Sequence, residues 1–337
     1  MRKIGVLLIN LGTPAQASTS AIRRYLFEFL RDKRVIDLPR LPRFLLIVFA
    51  ILPFRPRRIR AAYQQIYTAE GSPLAVHSNK LARALQEQLG SGYMVRLAMR
   101  YGKPSISMQL AELAACDFLK VVPLYPHYAA SSTGTALAEV YAAAGKSWHV
   151  PELAVIPAFY QHPGFIRAWC KLIAAAREVN AWDFLLFSYH GLPKRHLHKS
   201  ACTFVTTSCS PAPCPLEAPE VAAQCYRYQC YASTRLLAAA LGLAPSAYGV
   251  SFQSRLGRTP WIEPFTDEYL PELYQRGIRN LAVVSPSFVS DCLETLEEIA
   301  IRLREQWLAY PGTTFTPLAC LNDHPQWVRE LAAMVRT

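Results

Sequence analysis

The chain has 337 residues, 52% hydrophobic and 18% charged, with 36 Lys and Arg against 24 Asp and Glu. This composition excludes a disordered or fibrous protein, and the length exceeds one ordinary core, so two domains of roughly 150 residues are predicted. The net charge of +12 predicts affinity for an anionic partner and does not choose among nucleic acid, an acidic membrane surface and a carboxylate-bearing small molecule.

The first element, "IGVLLINL" at 4–11, ends in Gly12-Thr13-Pro14 and reads as a buried strand running into a loop. It is too short for a secretory signal and lacks a small-residue cleavage site, which places the chain in a reducing cytosol where structural disulfides are not expected. "FLLIVFAILPF" at 44–54 follows. As a helix, eleven residues span about 16 Å, roughly half a bilayer core. It cannot cross a membrane. Its shoulders hold Arg31, Lys33, Arg34, Arg40 and Arg43 on one side and Arg55, Arg57, Arg58 and Arg60 on the other. That pattern suits a surface contact with an acidic bilayer as well as it suits a core helix with solvated arginines.

Helical periodicity follows at 78–89, a strand at "FLKVVPLYP" (118–126), a helix at 164–179 and a strand at "WDFLLFSYHG" (182–191). A helix at 232–243, a strand at "RNLAVVSPSF" (279–288) and a helix at 291–307 complete the series. The βα alternation predicts an α/β fold with doubly wound parallel sheets flanked by helices. "LLINLGTP" and "LLFSYHGLP" echo one another, so we place domains at 1–160 and 161–337, with the last helix packing back on the first domain. Ligands of such folds bind at the carboxyl ends of the strands.

His190 stands at such an end, before Gly191 and Pro193. Its imidazole is either a proton acceptor or a structural hydrogen-bonder, and spacing alone does not choose. Asp291, Glu294 and Glu298 are spaced i, i+3, i+7, which puts three carboxylates on one face of the helix predicted there. They are either a path for a divalent cation or protons, or a solvated acidic face.

At this point the chain resembles the ferrochelatase family, whose members insert ferrous iron into a porphyrin. The resemblance runs nearly end to end. It rests on "LLINLGTP", "YQQIYTAEGSPL" (63–74), "AMRYGKPSI" (98–106), "PLYPHYAASSTG" (123–134) and "SYHGLPKR" (188–195). "SFQSRLGRTPWIEPFTDE" (251–268), "SPSFVSDCLETLEEI" (285–299) and "LNDHP" (321–325) continue it. It implies two Rossmann-like domains with a porphyrin cleft between them. His190 is then the proton acceptor and Glu294 the glutamate opposite it, with Asp291 and Glu298 as the metal or proton path. It places Arg100, Tyr101, Tyr125, His127 and Trp261 on the cleft wall, and Arg55, Arg58 and Ser72 near the propionates. It also turns the basic, apolar segment 31–60 into a membrane-facing lip on a cytoplasmic protein held at the inner membrane.

Protoporphyrin IX is the substrate this lip favours, with Fe²⁺ as the substrate metal and no nucleic-acid partner. Coproporphyrin III is the alternative within the class, cobalt insertion a weaker one, and a non-catalytic haem- or iron–sulfur-binding protein the alternative outside it. The resemblance leaves oligomeric state, monomer or homodimer, open. Two departures stand out. Cys292 replaces a histidine common in the family, and a Cys-rich insertion at 202–230 replaces a short loop. Cys202, Cys209, Cys214, Cys225 and Cys230 are spaced C-x6-C-x4-C-x10-C-x4-C. Four of them are candidate ligands of a 2Fe–2S cluster, with Cys230 the one most readily spared. Zinc and no metal at all remain open. The ligand set of the animal enzymes is absent, since the internal position is Ala130 and the sequence stops at Thr337.

Overall fold

The run at 4–10 is β-branched and leucine-rich on both faces, and in the computed structural model it becomes strand β1 (Ile4–Asn10), buried from Gly5 onward. The structure describes residues 3–116, 118–200, 224–255, 257 and 259–337. Cys202, Cys209 and Cys214 lie outside the described residues.

Two compact units divide the chain: 1–125 with 129–157 and 322–337, and 126–128 with 158–321. In the first unit β1 pairs in parallel with β2 (Tyr93–Met99) and β3 (Phe118–Pro123), and β3 with β4 (Glu152–Val155), giving the order β2-β1-β3-β4. In the second, β5 (Phe184–His190) pairs in parallel with β6 (Tyr248–Gln253) and β7 (Asn280–Val284), and β7 with β8 (Thr314–Pro317). The order is β6-β5-β7-β8, the same as in the first unit, so β1 and β5 hold equivalent places. The echo between "LLINLGTP" and "LLFSYHGLP" is a topological one.

The first unit's helices are α1 (Thr19–Leu30), α2 (Arg40–Leu45), α3 (Arg55–Ile66), α4 (Pro73–Leu89), α5 (Ile106–Glu112) and α6 (Thr135–Ala144). Those of the second are α7 (Pro163–Val179), α8 (Lys194–Lys199), α9 (Tyr226–Ala240), α10 (Thr266–Gln275) and α11 (Arg304–Leu308). The terminal helix α12 (Pro325–Arg336) belongs to the first unit and packs on α4. Each sheet carries its own core, one around Leu7, Ile9, Val121 and Val140, the other around Phe184, Leu186, Val283 and Trp307.

Two stretches depart from 3.6-residue winding. Leu46–Ile51 continues α2 as a π-helix, and Glu294–Leu303 is a ten-residue π-helix. The second corrects the reading of the three carboxylates. Asp291 lies before the helix, which carries Glu294 and Glu298 but not Asp291. With i→i+5 hydrogen bonding, residues four apart are close neighbours, and it is Glu294 and Glu298 that feel one another's charge.

Candidate active site

His190 is the last residue of β5. Its backbone N–H donates to Ser287 Oγ at 3.1 Å, and its carbonyl accepts from the Tyr226 hydroxyl at 2.8 Å. The ring is held as well, with Nδ1 lying 2.5 Å from the Gly191 carbonyl oxygen. A carbonyl only accepts, so Nδ1 must carry a proton, and whenever the ring is neutral its lone pair is on Nε2. The half-buried imidazole is thereby fixed in orientation, with Nε2 as its remaining ring nitrogen.

The turn after His190 is tightly fixed. Gly191 N–H donates to the Gln253 carbonyl at 2.7 Å, Ile262 N–H to the Leu192 carbonyl, and Lys194 N–H to the Pro260 carbonyl. A Cβ at Gly191 would lie 2.9 Å from the Gln253 carbonyl oxygen and 3.3 Å from the Trp261 ring, so only glycine fits. Trp261, half-buried, is paired by a bridge with Pro193 of the same turn.

Glu294 opens the π-helix, and its carbonyl accepts from Gln253 Nε2 at 2.7 Å. Glu298, further along, accepts from Ser254 Oγ at 2.6 Å and sits 3.6 Å from Arg302. Burial and the Glu294 charge push its carboxyl up to about 7, against the Ser254 hydrogen bond and the Arg302 charge. Glu298 thus exchanges its proton near neutral pH. Asp291 is buried and accepts from Thr295 Oγ1 at 2.9 Å and from the Cys320 N–H at 3.2 Å. Cys292, at the position of the family histidine, hydrogen-bonds Glu294, and burial and that negative charge push its thiol well up. It stays a protonated thiol. Among the described residues no group of three His, Cys, Asp or Glu side chains could hold a metal ion.

His127 belongs to the same unit but is buried against the rings of Tyr160, Tyr189 and Tyr226. Its Nε2 pairs with Ser233 Oγ at 2.8 Å, and burial pushes it down to about 3, so it stays neutral.

The first unit gathers the other group. Arg100 and Tyr101 follow β2 and converge on Asp32, just after α1. Asp32 accepts from Arg100 Nη2 at 2.8 Å, from the Tyr101 hydroxyl at 3.1 Å, from Thr135 Oγ1, and from the Arg34 N–H at 2.7 Å. Burial works to raise the Asp32 carboxyl, but Thr135, the Arg34 N–H and the Arg100 charge hold it below the usual range. Its stabilising contribution is therefore present above the unfolded carboxylate pKa and lost as pH falls through the folded one. The Arg100 guanidinium also stacks on Tyr101, 4.4 Å from the ring centroid. Tyr125, at the end of β3, has its hydroxyl buried without a hydrogen-bond partner, and burial pushes it far up. Ser72 precedes α4 and donates to Thr13 Oγ1 at 2.9 Å. Arg55 and Arg58 lie in the first turn of α3, Arg58 exposed.

Sequence reasoning missed Asp32, Gln253 and Ser254. The "QS" pair stood inside a quoted block, and its place directly after a strand was the available signal. A cavity of about 240 Å³ lined by Ile173, Trp182, Leu185 and Leu241 lies at the opposite, amino end of β5 and takes no part in this constellation.

Each unit has a parallel sheet of one strand order, and the second sets a histidine at a strand end and acidic side chains on a π-helix. SirB from Bacillus subtilis with Fe³⁺ shares this fold, with a TM-score of 0.54 at 12% identity over 99% of this chain and 94% of that one. The sequence profile described as Ferrochelatase matches residues 3–337. Proteins named Ferrochelatase from Legionella pneumophila (strain Philadelphia 1) and Coxiella burnetii (strain RSA 493) are similar throughout. The first is 47% identical over 98% of both chains, the second 48% identical over 99% of this chain and 93% of its own. The chain belongs to the ferrochelatase family, and it is an enzyme of metal insertion into porphyrin.

Proposed function

We propose that the chain inserts Fe²⁺ into protoporphyrin IX to give protohaem, with His190 as proton acceptor. The reading rests above all on the fixed Nδ1–H of His190, which leaves Nε2 to carry the lone pair of the neutral ring at a strand's carboxyl end. Insertion exchanges two pyrrole N–H protons for one dication. A base must take protons as the metal arrives, and His190 Nε2 supplies it. Glu294 offers the ion an anionic oxygen, and Glu298, poised near pH 7, exchanges protons with solvent along the same helix. Asp291, held by Thr295 and Cys320, anchors the start of that path. The lack of a three-ligand cage among the described residues suits an ion that passes through as substrate. In the first unit Arg100, Tyr101 and Tyr125 are proposed porphyrin contacts, with Arg55, Arg58 and Ser72 for the propionates, and in the second unit His127 and Trp261 are proposed contacts. The parallel assay of Fe²⁺ insertion into proto- and coproporphyrin tests the substrate. A higher kcat/KM with protoporphyrin is expected, and a reversed ratio assigns the enzyme to coproporphyrin.

The lip supports a surface role. Leu41, Phe49 and Phe54 are 66%, 69% and 65% exposed, with Leu38, Phe44, Leu45 and Leu46 beside them. Arginines 40, 43, 57, 58 and 60 frame the patch. No helix among the described residues is long and apolar enough to cross a membrane. Burying two such side chains is worth about 3–6 kcal/mol. Leu41→Asp with Phe49→Asp is therefore expected to lower binding to phosphatidylglycerol vesicles at least ~10-fold in a sedimentation assay. Unchanged binding removes the lip from the account.

Of the candidate 2Fe–2S ligands, Cys202, Cys209 and Cys214 lie outside the described residues. Cys230 is fully buried in α9, where burial pushes its thiol well up against the Tyr226 hydrogen bond. It packs as a small apolar residue. Cys225, also buried, precedes α9, and no step of the mechanism runs through a cluster.

A further inference from the structure

We propose that Gln253 is a positioning residue that sets the placement of Glu294 relative to His190. The inference rests on the roles proposed above for those two side chains. Gln253 ends β6, the strand hydrogen-bonded to β5, and pairs in register with His190. Its main-chain oxygen receives the Gly191 N–H at 2.7 Å, so it grips the turn that begins at His190. Because no side chain fits at Gly191, that contact cannot slacken without moving the turn.

The buried side chain does the rest. Oε1 accepts from Ser188 Oγ at 2.6 Å and from Ser285 Oγ at 3.4 Å, residues on β5 and just after β7. Ser188 also pairs with Thr266, and Thr266 with Ser251, so the hydroxyl network spans three strand ends. These donors fix which end of the amide points where. A flipped amide would set its oxygen against the Glu294 carbonyl, so Nε2 is held facing that carbonyl and donates to it at 2.7 Å. A single residue thus tethers the base by its main chain and the glutamate's backbone by its side chain. The bond falls on the first residue of the π-helix, where a small drift displaces the Glu294 carboxylate directly. Misplacing a reacting group by about 1 Å costs on the order of 10²-fold in rate.

Two substitutions separate positioning from packing. Gln253→Glu keeps an acceptor for Ser188 and Ser285 and, assayed at a pH where the new carboxyl is ionised, has no proton to donate to the Glu294 carbonyl. Gln253→Met keeps the shape and loses both. The tether predicts that both lower kcat by roughly 10–100-fold, with porphyrin KM changed by less than about two-fold. It also predicts faster amide hydrogen exchange across 294–303 in folded Gln253→Met, with the central strands unchanged. Wild-type kcat in Gln253→Glu, or unchanged exchange in 294–303 for Gln253→Met, overturns the proposal. Glu294→Gln measured alongside keeps the two readings apart. If it retains full turnover, the role of Glu294 fails while the exchange experiment still decides the tether.

Discussion

His190→Ala is expected to lower the turnover of Fe²⁺ insertion by about 10²–10⁴-fold, the range a positioned acid–base group supplies. The loss is in kcat, because porphyrin binding does not need the imidazole lone pair. The fold survives, since the side chain's one hydrogen bond, Nδ1–H to the Gly191 carbonyl, is worth about 1 kcal/mol. The turn itself is held by main-chain bonds to Gln253, Pro260 and Ile262 that the substitution leaves alone. Porphyrin fluorescence titration with a steady-state assay separates the two effects. A variant that binds porphyrin and turns over within a few-fold of wild type removes the base from the mechanism.

Gly12→Ala has the largest effect on stability. Gly12 has φ +103°, and a Cβ there would lie 1.8 Å from the Tyr101 carbonyl oxygen. The obstacle is backbone fixed on both sides. Arg100 N–H donates to the Asn10 carbonyl and Tyr101 N–H to the Leu11 carbonyl, while the Tyr25 hydroxyl holds the Gly12 carbonyl. Relief requires separating the loop after β1 from the one after β2, and with it Arg100 and Tyr101 from Asp32. The cost is roughly 4 kcal/mol or more, about 8–16 °C in Tm. Gly71→Ala is the control, because Gly71 has φ +118° but nothing within 4 Å. It is expected to lose only the backbone strain, about 1–3 kcal/mol. A Gly12→Ala variant that melts no lower than Gly71→Ala would contradict the packing described.

The four strands with continuous apolar runs were legible from sequence because both of their faces are buried. β2 and β6 were not. They carry Arg96 in one case and Gly249 and Ser251 in the other, and each lies at a sheet edge where one side needs no apolar residue. β4 and β8, also edges, are only four residues long. The place of His190 at a strand's end was legible in the sequence, and the proposed roles of His190 and Glu294 come from resemblance. The groups that hold them were not legible, because Gln253 and Ser254 act across 41 and 44 residues of sequence. The π-helix escaped for a related reason. Its side-chain types suit 3.6-residue winding equally well, so the i, i+3, i+7 spacing pointed to one helix for all three carboxylates, whereas Asp291 lies before it. Asp32 stood among lysines and arginines as one more surface charge, and only tertiary structure brings Arg100, Tyr101 and Thr135 onto it.

The most direct measurement is anaerobic turnover of the purified chain with Fe²⁺ and protoporphyrin IX, followed by growth of protohaem absorption and loss of porphyrin fluorescence. The account predicts catalysis that saturates in both substrates and is abolished in Glu294→Gln, with porphyrin still bound. Haem formation no faster than in protein-free buffer, or an unaffected Glu294→Gln enzyme, would contradict it.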